Sequence, residues 1–586
     1  ISTNWQKDSY MNKLLMTLTA VAAFLASCSG PEDGEYTFRL LTTNDVHGRY
    51  FDSLYVSDET NNALTNVSWY VDSIRVADGA ENVILLDAGD CLQGDNAAYY
   101  FNYVDTLSKH LFARMVEYIG YDAVVVGNHD IETGHPVYDR IVRTMKVPFL
   151  AANAIRDDNG QPYFQEYVTL KRHGLNITVI GFTNPNIKGW LSPVLWEGMT
   201  FESLIPMAQE VVDRVSAKEQ SDVIIVAVHA GTGAGDGAIL ESQGLDLFKS
   251  LKGVDFVVCA HDHRPVIHQS DSICLINAGS HCRNLGLGTL TLKVKNGKVV
   301  SKTLEAELLP VDKRNVDSKM HELFREDFEA VKAFTLQEVG QLKTDLRTRD
   351  AYSGMSDYLN LIHTLSLGCT PAQISFAAPL TFNGFIEAGT LVYNDLFTIY
   401  PYENQLFVVK MTGREIKDYL EYSYDAWVNT ITSAEDRLLK IADRPDPRTG
   451  QKNWSFINRS YNFDSAGGLI YTVDVTQPCG QRVAVHSLAD GSAFDEAAEY
   501  NVAMTSYRAS GGGSIMREGA GIDTDNISER TVAYYPEIRE ILYDYLKTNR
   551  EISPEKIGDQ AVIGHWKFVP ESLAEKALQR DMALLF

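Results

Sequence analysis

The chain has 586 residues, 45% of them hydrophobic and 22% charged, with a formal charge of −25. This is ordinary globular composition, with room for about three to four domains at roughly 150 residues each, so a disordered or fibrous chain is excluded. A nucleic-acid polymer is excluded as partner, because a phosphate backbone calls for clustered Lys and Arg. A small anionic substrate stays open if bound metal supplies positive charge locally.

In chain order, Met11 offers a second start, and residues 1–10 are set aside. Lys13 precedes the apolar stretch Leu14 to Leu25, which is too short to span a membrane and predicts a signal peptide. Leu25-Ala26-Ser27-Cys28 resembles the bacterial lipobox. That resemblance implies a lipid on Cys28, membrane contact through it, and export to the periplasm or the outer-membrane surface of a bacterium. Ser29 to Glu35 reads as a polar tether, so residues 1–35 form leader and tether.

From residue 36 to 310, strand-like runs alternate with amphipathic stretches such as Leu107 to Ile119 and Pro206 to Ala217. The alternation predicts a layered α/β domain. It closes on the strand-like stretch Gly286 to Val300, where Asn296-Gly297 predicts a hairpin turn. Ser318 to Phe334 has helical spacing and reads as a linker helix within 311–335. A second mixed domain follows over 336–550. It includes the apolar run Gln373 to Ala378, the strand Leu406 to Lys410 and a turn at Thr412-Gly413 into a helix. Glu551 to Phe586 shows no chemistry and reads as a tail. Beyond Cys28 there are six cysteines without CxxC spacing, which argues against a zinc-thiolate site. Export permits disulfides; Cys274 and Cys282 are the nearest spaced pair, and Cys259, inside an apolar run, reads as a buried free thiol.

Five apolar runs in the first domain each end in a metal-type ligand. Phe38 to Leu41 leads to Asp45 and His47, Val83 to Leu86 to Asp90, and Val124 to Val126 to Asn128 and His129. Val223 to Val228 leads to His229, and Phe256 to Val258 to His261 and His263. Short β-branched runs predict strands buried on both faces, and in α/β sheets ligands gather at the carboxyl ends of such strands. Asp45 with His47, and His261 with His263, are spaced i and i+2, which puts each pair on one face of an extended segment. A hard divalent ion with catalytic duty takes such mixed nitrogen and oxygen ligands. Asp90, after Gly89, is the natural bridge between two ions.

Through Asp45-x-His47, Gly89-Asp90, Gly127-Asn128-His129-Asp130, His229 and His261-x-His263, the chain resembles the calcineurin-like metallophosphoesterases. The resemblance implies a four-layer α/β/β/α domain and two divalent metals, Zn, Mn or similar. One would take Asp45, His47, Asp90 and His263, and the other Asp90, Asn128, His229 and His261. It also implies that His129 works beside the phosphate as a catalytic residue, oriented by Glu132, which stands where many relatives have Asp.

Ala377-Ala378-Pro379, Tyr400-Pro401-Tyr402, Tyr461 to Asp464 and Tyr507 to Gly512 are similar to segments of the 5′-nucleotidase superfamily C-terminal domain. Within it they resemble the bacterial 2′,3′-cyclic-nucleotide 2′-phosphodiesterase/3′-nucleotidases. The resemblance implies a small nucleotide substrate, a hinge near Ser318 to Phe334, and Tyr461, Phe463, Tyr507 and Arg508 as substrate-binding residues; a monomer is expected, although the sequence does not determine the oligomeric state. Tyr461 and Tyr507 would sandwich a base, each worth roughly 1–3 kcal/mol. Two departures from the 5′-nucleotidase branch bear on the ester. Pro379 to Ile386 holds no Arg where that branch grips phosphate, and Gly513 replaces its diol-binding Asp. Both favour 3′ and 2′,3′-cyclic phosphates. The rivals are a 5′-nucleotidase or UDP-sugar hydrolase with the same metals, and a nucleotide-binding lipoprotein without turnover.

Overall fold

The computed structural model describes residues 30–57, 59–444, 452–524 and 526–586; the leader and Cys28 lie outside the described residues. The chain divides into two compact units. One reaches to Phe328, and the other runs from Glu329 to Phe586 and also takes the short segments Tyr55–Ser57 and Ile187–Pro193.

In chain order the first unit contains β1 (Gly34–Thr43), α1 (Leu64–Asp78), β2 (Val83–Asp87), α2 (Leu111–Ile119), β3 (Ala123–Val125), α3 (Asn128–Glu132), β4 (Phe149–Leu150), β5 (Tyr167–Arg172) and β6 (Leu175–Phe182). It continues with α4 (Leu204–Glu219), β7 (Val223–Val228), α5 (Gly244–Ser250), β8 (Phe256–Val258), β9 (Val266–Gln269), β10 (Cys274–Asn277), β11 (Asn284–Lys295) and β12 (Lys298–Pro310). Two six-stranded sheets result, in the orders β12-β11-β1-β2-β3-β4 and β9-β10-β8-β7-β6-β5. Their central strands run parallel, so the carboxyl ends of β1, β2 and β3 in one sheet, and of β7 and β8 in the other, carry the ligand-bearing turns.

The period of two along each strand explains the layers. Phe38, Leu40, Ile84 and Leu86 of one sheet pack in one buried cluster with Ile177, Val179, Ile225 and Phe256 of the other. The alternate residues Ile224, Val226 and Val228 turn outward onto Val211, Val212 and Val215 of α4. Each such fully buried side chain stabilises by about 1.5–3 kcal/mol, and both faces of β7 are buried. The outcome is the expected α/β/β/α sandwich.

Local chemistry sets the element ends. Asn296 and Gly297 take φ of 55° and 68°, the pair of left-handed values that a two-residue hairpin between right-twisted strands requires. The helix expected from Leu107 starts only at Leu111. Asp105 accepts the backbone N–H groups of Leu107 and Ser108, and His110 Nδ1 accepts the Phe112 N–H as the cap. The linker helix is two helices, Ser318–Leu323 and Arg325–Thr335.

The second unit holds a five-stranded sheet ordered Ser465–Gly467, Ile374–Ala377, Glu499–Thr505, Gln405–Thr412, Thr531–Glu537. The expected helix after Thr412 runs Gly413–Trp427, closed at its start by reciprocal bonds between Thr412 and Glu415. The segment expected as a tail is built in. Gly564–Val569 pairs parallel with Leu469–Asp474, and Trp566, Phe568, Ala577 and Leu578 join the core around Tyr424 and Trp427. Its six-residue alternation has no meaning until the neighbouring strand is in place. Among the described residues, no helix is long and apolar enough to cross a membrane, and six cysteines are free thiols, with Cys91, Cys259, Cys274 and Cys282 buried.

Candidate metal centre

The sequence brings seven residues to one end of the sandwich, and the structure groups six of them as two triads. Ligand atoms of Asp45, His47 and His263 lie within 4.8 Å of one another, as do those of Asp90, His229 and His261. Asn128 joins the second triad, with Oδ1 3.1 Å from His229 Nε2. The i, i+2 pairs converge for a reason other than the pleat of an extended segment. Asp45, His47, His261 and His263 lie beyond their strands in left-handed backbone, with φ of 48°, 49°, 69° and 56°, and Asp90 does the same at 61°. Such conformations are rare outside glycine and cluster where the surrounding structure over-determines them.

That surround is visible. Asp45 Oδ2 accepts from Asn44 Nδ2 at 2.7 Å and from the His261 N–H at 3.0 Å, while the buried Oδ1 has no hydrogen-bond partner. Oδ1 sits 3.8 Å from His47 Nε2 and 3.4 Å from His263 Nε2, and those two ring nitrogens are 2.9 Å apart. An orphaned carboxylate oxygen facing two converging imidazole nitrogens fits a cation. At the second triad, His229 Nδ1 donates to the Ala88 carbonyl at 2.8 Å, which leaves Nε2 as the ligand atom, 3.0 Å from Asp90 Oδ2. Gly89 makes room here, since an added Cβ would stand 2.8 Å from His229 Nδ1.

Electrostatics bind the triads together. Burial raises the Asp90 pKa, but the charges of His229 and His129 outweigh it and hold the carboxylate well below its usual range. Burial lowers His229, and Asp90 more than reverses this, to about 9. Burial drives His47 well below the ordinary imidazole value, with Asp90 the strongest opposing charge, so Asp90 acts on both groups. Asp130, given no role by its motif alone, accepts the backbone N–H groups of Asp90, Cys91, Leu92 and Gly127. It ties the turn after β2 to the start of α3. His129 Nδ1 lies 2.6 Å from Glu132 Oε2, which also accepts from Gln93, and the His129 N–H binds Asp90 Oδ1.

The aromatic residues of the second unit differ from expectation. Tyr461 and Tyr507 have ring centroids 6.4 Å apart, but at 79°, so in this structure they meet edge to face and not as parallel faces. Phe463 is fully buried, stacked on Trp427 at 5.6 Å and 3°; it is core, because the turn at Ser460–Asn462 points it inward. Arg508 is buried with all five donors engaged. Nε and Nη2 grip Asp464, Nη1 bonds Asn462 and the Gly512 carbonyl, and Nη2 also bonds the Tyr461 carbonyl. It positions the two tyrosine segments and has no donor left for a ligand. Gly513, at φ 74°, packs against this hand: an added Cβ would stand 2.6 Å from both Arg508 Nη1 and Asn462 Oδ1.

Residues 38–265 match the calcineurin-like phosphoesterase profile and residues 338–518 the 5′-nucleotidase C-terminal domain profile. The chain carries a calcineurin-like phosphoesterase domain followed by a 5′-nucleotidase C-terminal domain. It is 24% identical to a Haemophilus influenzae 2′,3′-cyclic-nucleotide 2′-phosphodiesterase/3′-nucleotidase, over 91% of this chain and 87% of that one. It is also 24% identical to the trifunctional nucleotide phosphoesterase protein YfkN of Bacillus subtilis, of whose length it spans only 39%. The solved 5′-nucleotidase precursor of Thermus thermophilus, 22% identical, aligns over 92% of this chain and all of its own with a TM-score of 0.56.

A phosphoesterase of this family is a metal-dependent phosphoric ester hydrolase working with two divalent ions, and the two triads fit such a pair. Asp45, His47 and His263 would hold one ion and Asp90, Asn128, His229 and His261 the other, and such a pair would supply Lewis-acid polarisation and activation of water. The protein supplies the rest. Glu132 engages Nδ1 of His129, which fixes the orientation of the imidazole beside the triads. Buried Asp130 and Asn44 tie the ligand turns together by hydrogen bonds, the kind of support that holds reacting groups in position.

Proposed function

We propose that this enzyme is an exported nucleotide phosphoesterase that opens 2′,3′-cyclic nucleotides to 3′-nucleotides and then releases nucleoside and phosphate. The site residues keep the roles given above: Asp45, His47, Asp90, Asn128, His229, His261 and His263 hold the metals, and His129 with Glu132 protonates the leaving group. The observation that carries the substrate choice is Gly513 packed on the Arg508 hand. An acidic side chain for a free 2′,3′-diol has no room there, and a substrate bearing phosphate on those oxygens presents no such diol. The named relatives support a nucleotide, and the export reading rests on the Leu14 to Cys28 pattern. Turnover of 2′,3′-cyclic AMP, 3′-AMP, 5′-AMP and UDP-glucose by purified protein with Mn²⁺ tests it. The first two should be hydrolysed fastest; preference for 5′-AMP or UDP-glucose would replace this reading with the 5′-nucleotidase alternative.

A further inference from the structure

The expected ligands and His129 do not exhaust the imidazoles of the metal centre. His281 lies in the turn between β10 and β11, outside the motifs that carry the ligands. Its ring centroid stands 5.4 Å from that of His47 and 5.8 Å from that of His263. His47 thus has three rings about it, with His263 at 4.8 Å and His129 at 5.5 Å. His281 does not belong to either group of converging ligand atoms, so it borders the first triad without joining it.

The backbone is built to keep it there. The His281 N–H donates to the Asp45 carbonyl at 2.8 Å. Asn44 ties the same turn twice, through the Ala278 N–H and the Gly279 carbonyl. His281 and Cys282 are both left-handed, with φ of 57° and 55°, a conformation that favours glycine because a Cβ is crowded in it. Cys282 fills core space, being 3% exposed, which accounts for its side chain. His281 is half-buried, and packing gives no such account of its imidazole.

One ring nitrogen is free to act. Nδ1 lies 2.8 Å from Ser280 Oγ, and among the described residues Nε2 has no hydrogen-bond partner. When the Ser280 hydroxyl donates to Nδ1, Nε2 carries the ring hydrogen and is a donor. Arg283, and Arg49 paired with Asp95 at 3.5 Å, bring positive charge to bear on this ring. The border of the first triad therefore suits an anion.

We propose that His281 is a further substrate-binding residue of the phosphoesterase reaction, donating from Nε2 to an oxygen of the phosphoryl group beside the first triad. The assignment needs a phosphoester only and does not depend on the nucleotide reading. Hydrogen bonds to ionised oxygens are among the stronger ones in proteins, and a donor already in place needs no reorganisation as charge develops.

The probe is inorganic phosphate, titrated calorimetrically into the full chain loaded with Mn²⁺. His281→Ala and His281→Asn should each weaken phosphate roughly tenfold or more. Asn tolerates left-handed backbone, which guards against misfolding. His281→Gln, whose amide nitrogen reaches about as far as Nε2, should recover most of the loss. Mn²⁺ affinity should stay within about twofold in all three, whereas removing a ligand or its support costs roughly tenfold or more. Phosphate binding that is equal in His281→Ala and the unsubstituted protein, or absent from the latter, overturns the assignment. A loss of Mn²⁺ affinity of about tenfold in His281→Asn also overturns it, by making His281 part of the metal's support. So does a His281→Gln no better than His281→Ala, since the donor would then not be what matters.

Discussion

Left-handed backbone at Asp45, His47, Asp90, His261 and His263 shows where the residues of the metal centre are held against their own preference. An L-residue in that region costs roughly 1–2 kcal/mol, repaid by bonds such as Asp45 Oδ2 with the His261 N–H. Glycine removes that cost, so His263→Gly, at a side chain 42% exposed, should keep or gain up to about 1 kcal/mol of stability. It should also lose at least about tenfold in Mn²⁺ affinity. Urea denaturation with chelator, beside metal titration, reads both; a strong loss of stability would show that the left-handed backbone is not strained. His229 gives a pH test. With Asp90 beside it, its pKa stands at about 9 against the ordinary 6.5, so in metal-stripped protein their pairing contributes stability fully below pH 6.5. That contribution is lost as pH rises through about 9. Metal needs the unprotonated Nε2, so loading at pH 7 should release a proton. Mn²⁺ calorimetry in two buffers of different ionisation enthalpy measures that release; identical heats would refute it.

At the scale of elements, turns govern what strands deliver. The runs before Asp45, Asp90, Asn128, His229 and His261 are legible in sequence because both faces of each strand are buried, which forces continuous apolar residues. The i, i+2 spacing of Asp45 with His47 suggests a pleat; the structure replaces it with left-handed turns, since φ is set by tertiary bonds that spacing does not encode. The tyrosine segments show the same limit. Tyr461, Phe463, Tyr507 and Arg508 come from two matching segments, yet one is core and another is a buried strut. Tyr507→Ala should accordingly raise KM for nucleotides about tenfold, with a much smaller change for bis-p-nitrophenyl phosphate. Equal losses on both would move Tyr507 out of base binding and into support of the fold.

At the scale of the whole molecule, two units each close their own core. Gly564–Phe586 contributes Trp566 and Phe568 to the core of the second, and burying each such aromatic is worth about 3–5 kcal/mol by truncation to Ala. A chain lacking residues 564–586 should therefore lose the cooperative unfolding of the second unit, seen as a missing thermal transition; an intact transition would return the segment to the status of a tail. The sequence by itself determined the chemistry and the sandwich. Ligand types cannot be exchanged without losing the metal, and strands buried on both faces cannot be written in polar residues. Only the tertiary structure decided which side chains of a motif are free to act. Arg508, Phe463 and Tyr507 differ in burial and hydrogen bonding, and those are properties of neighbours distant along the chain.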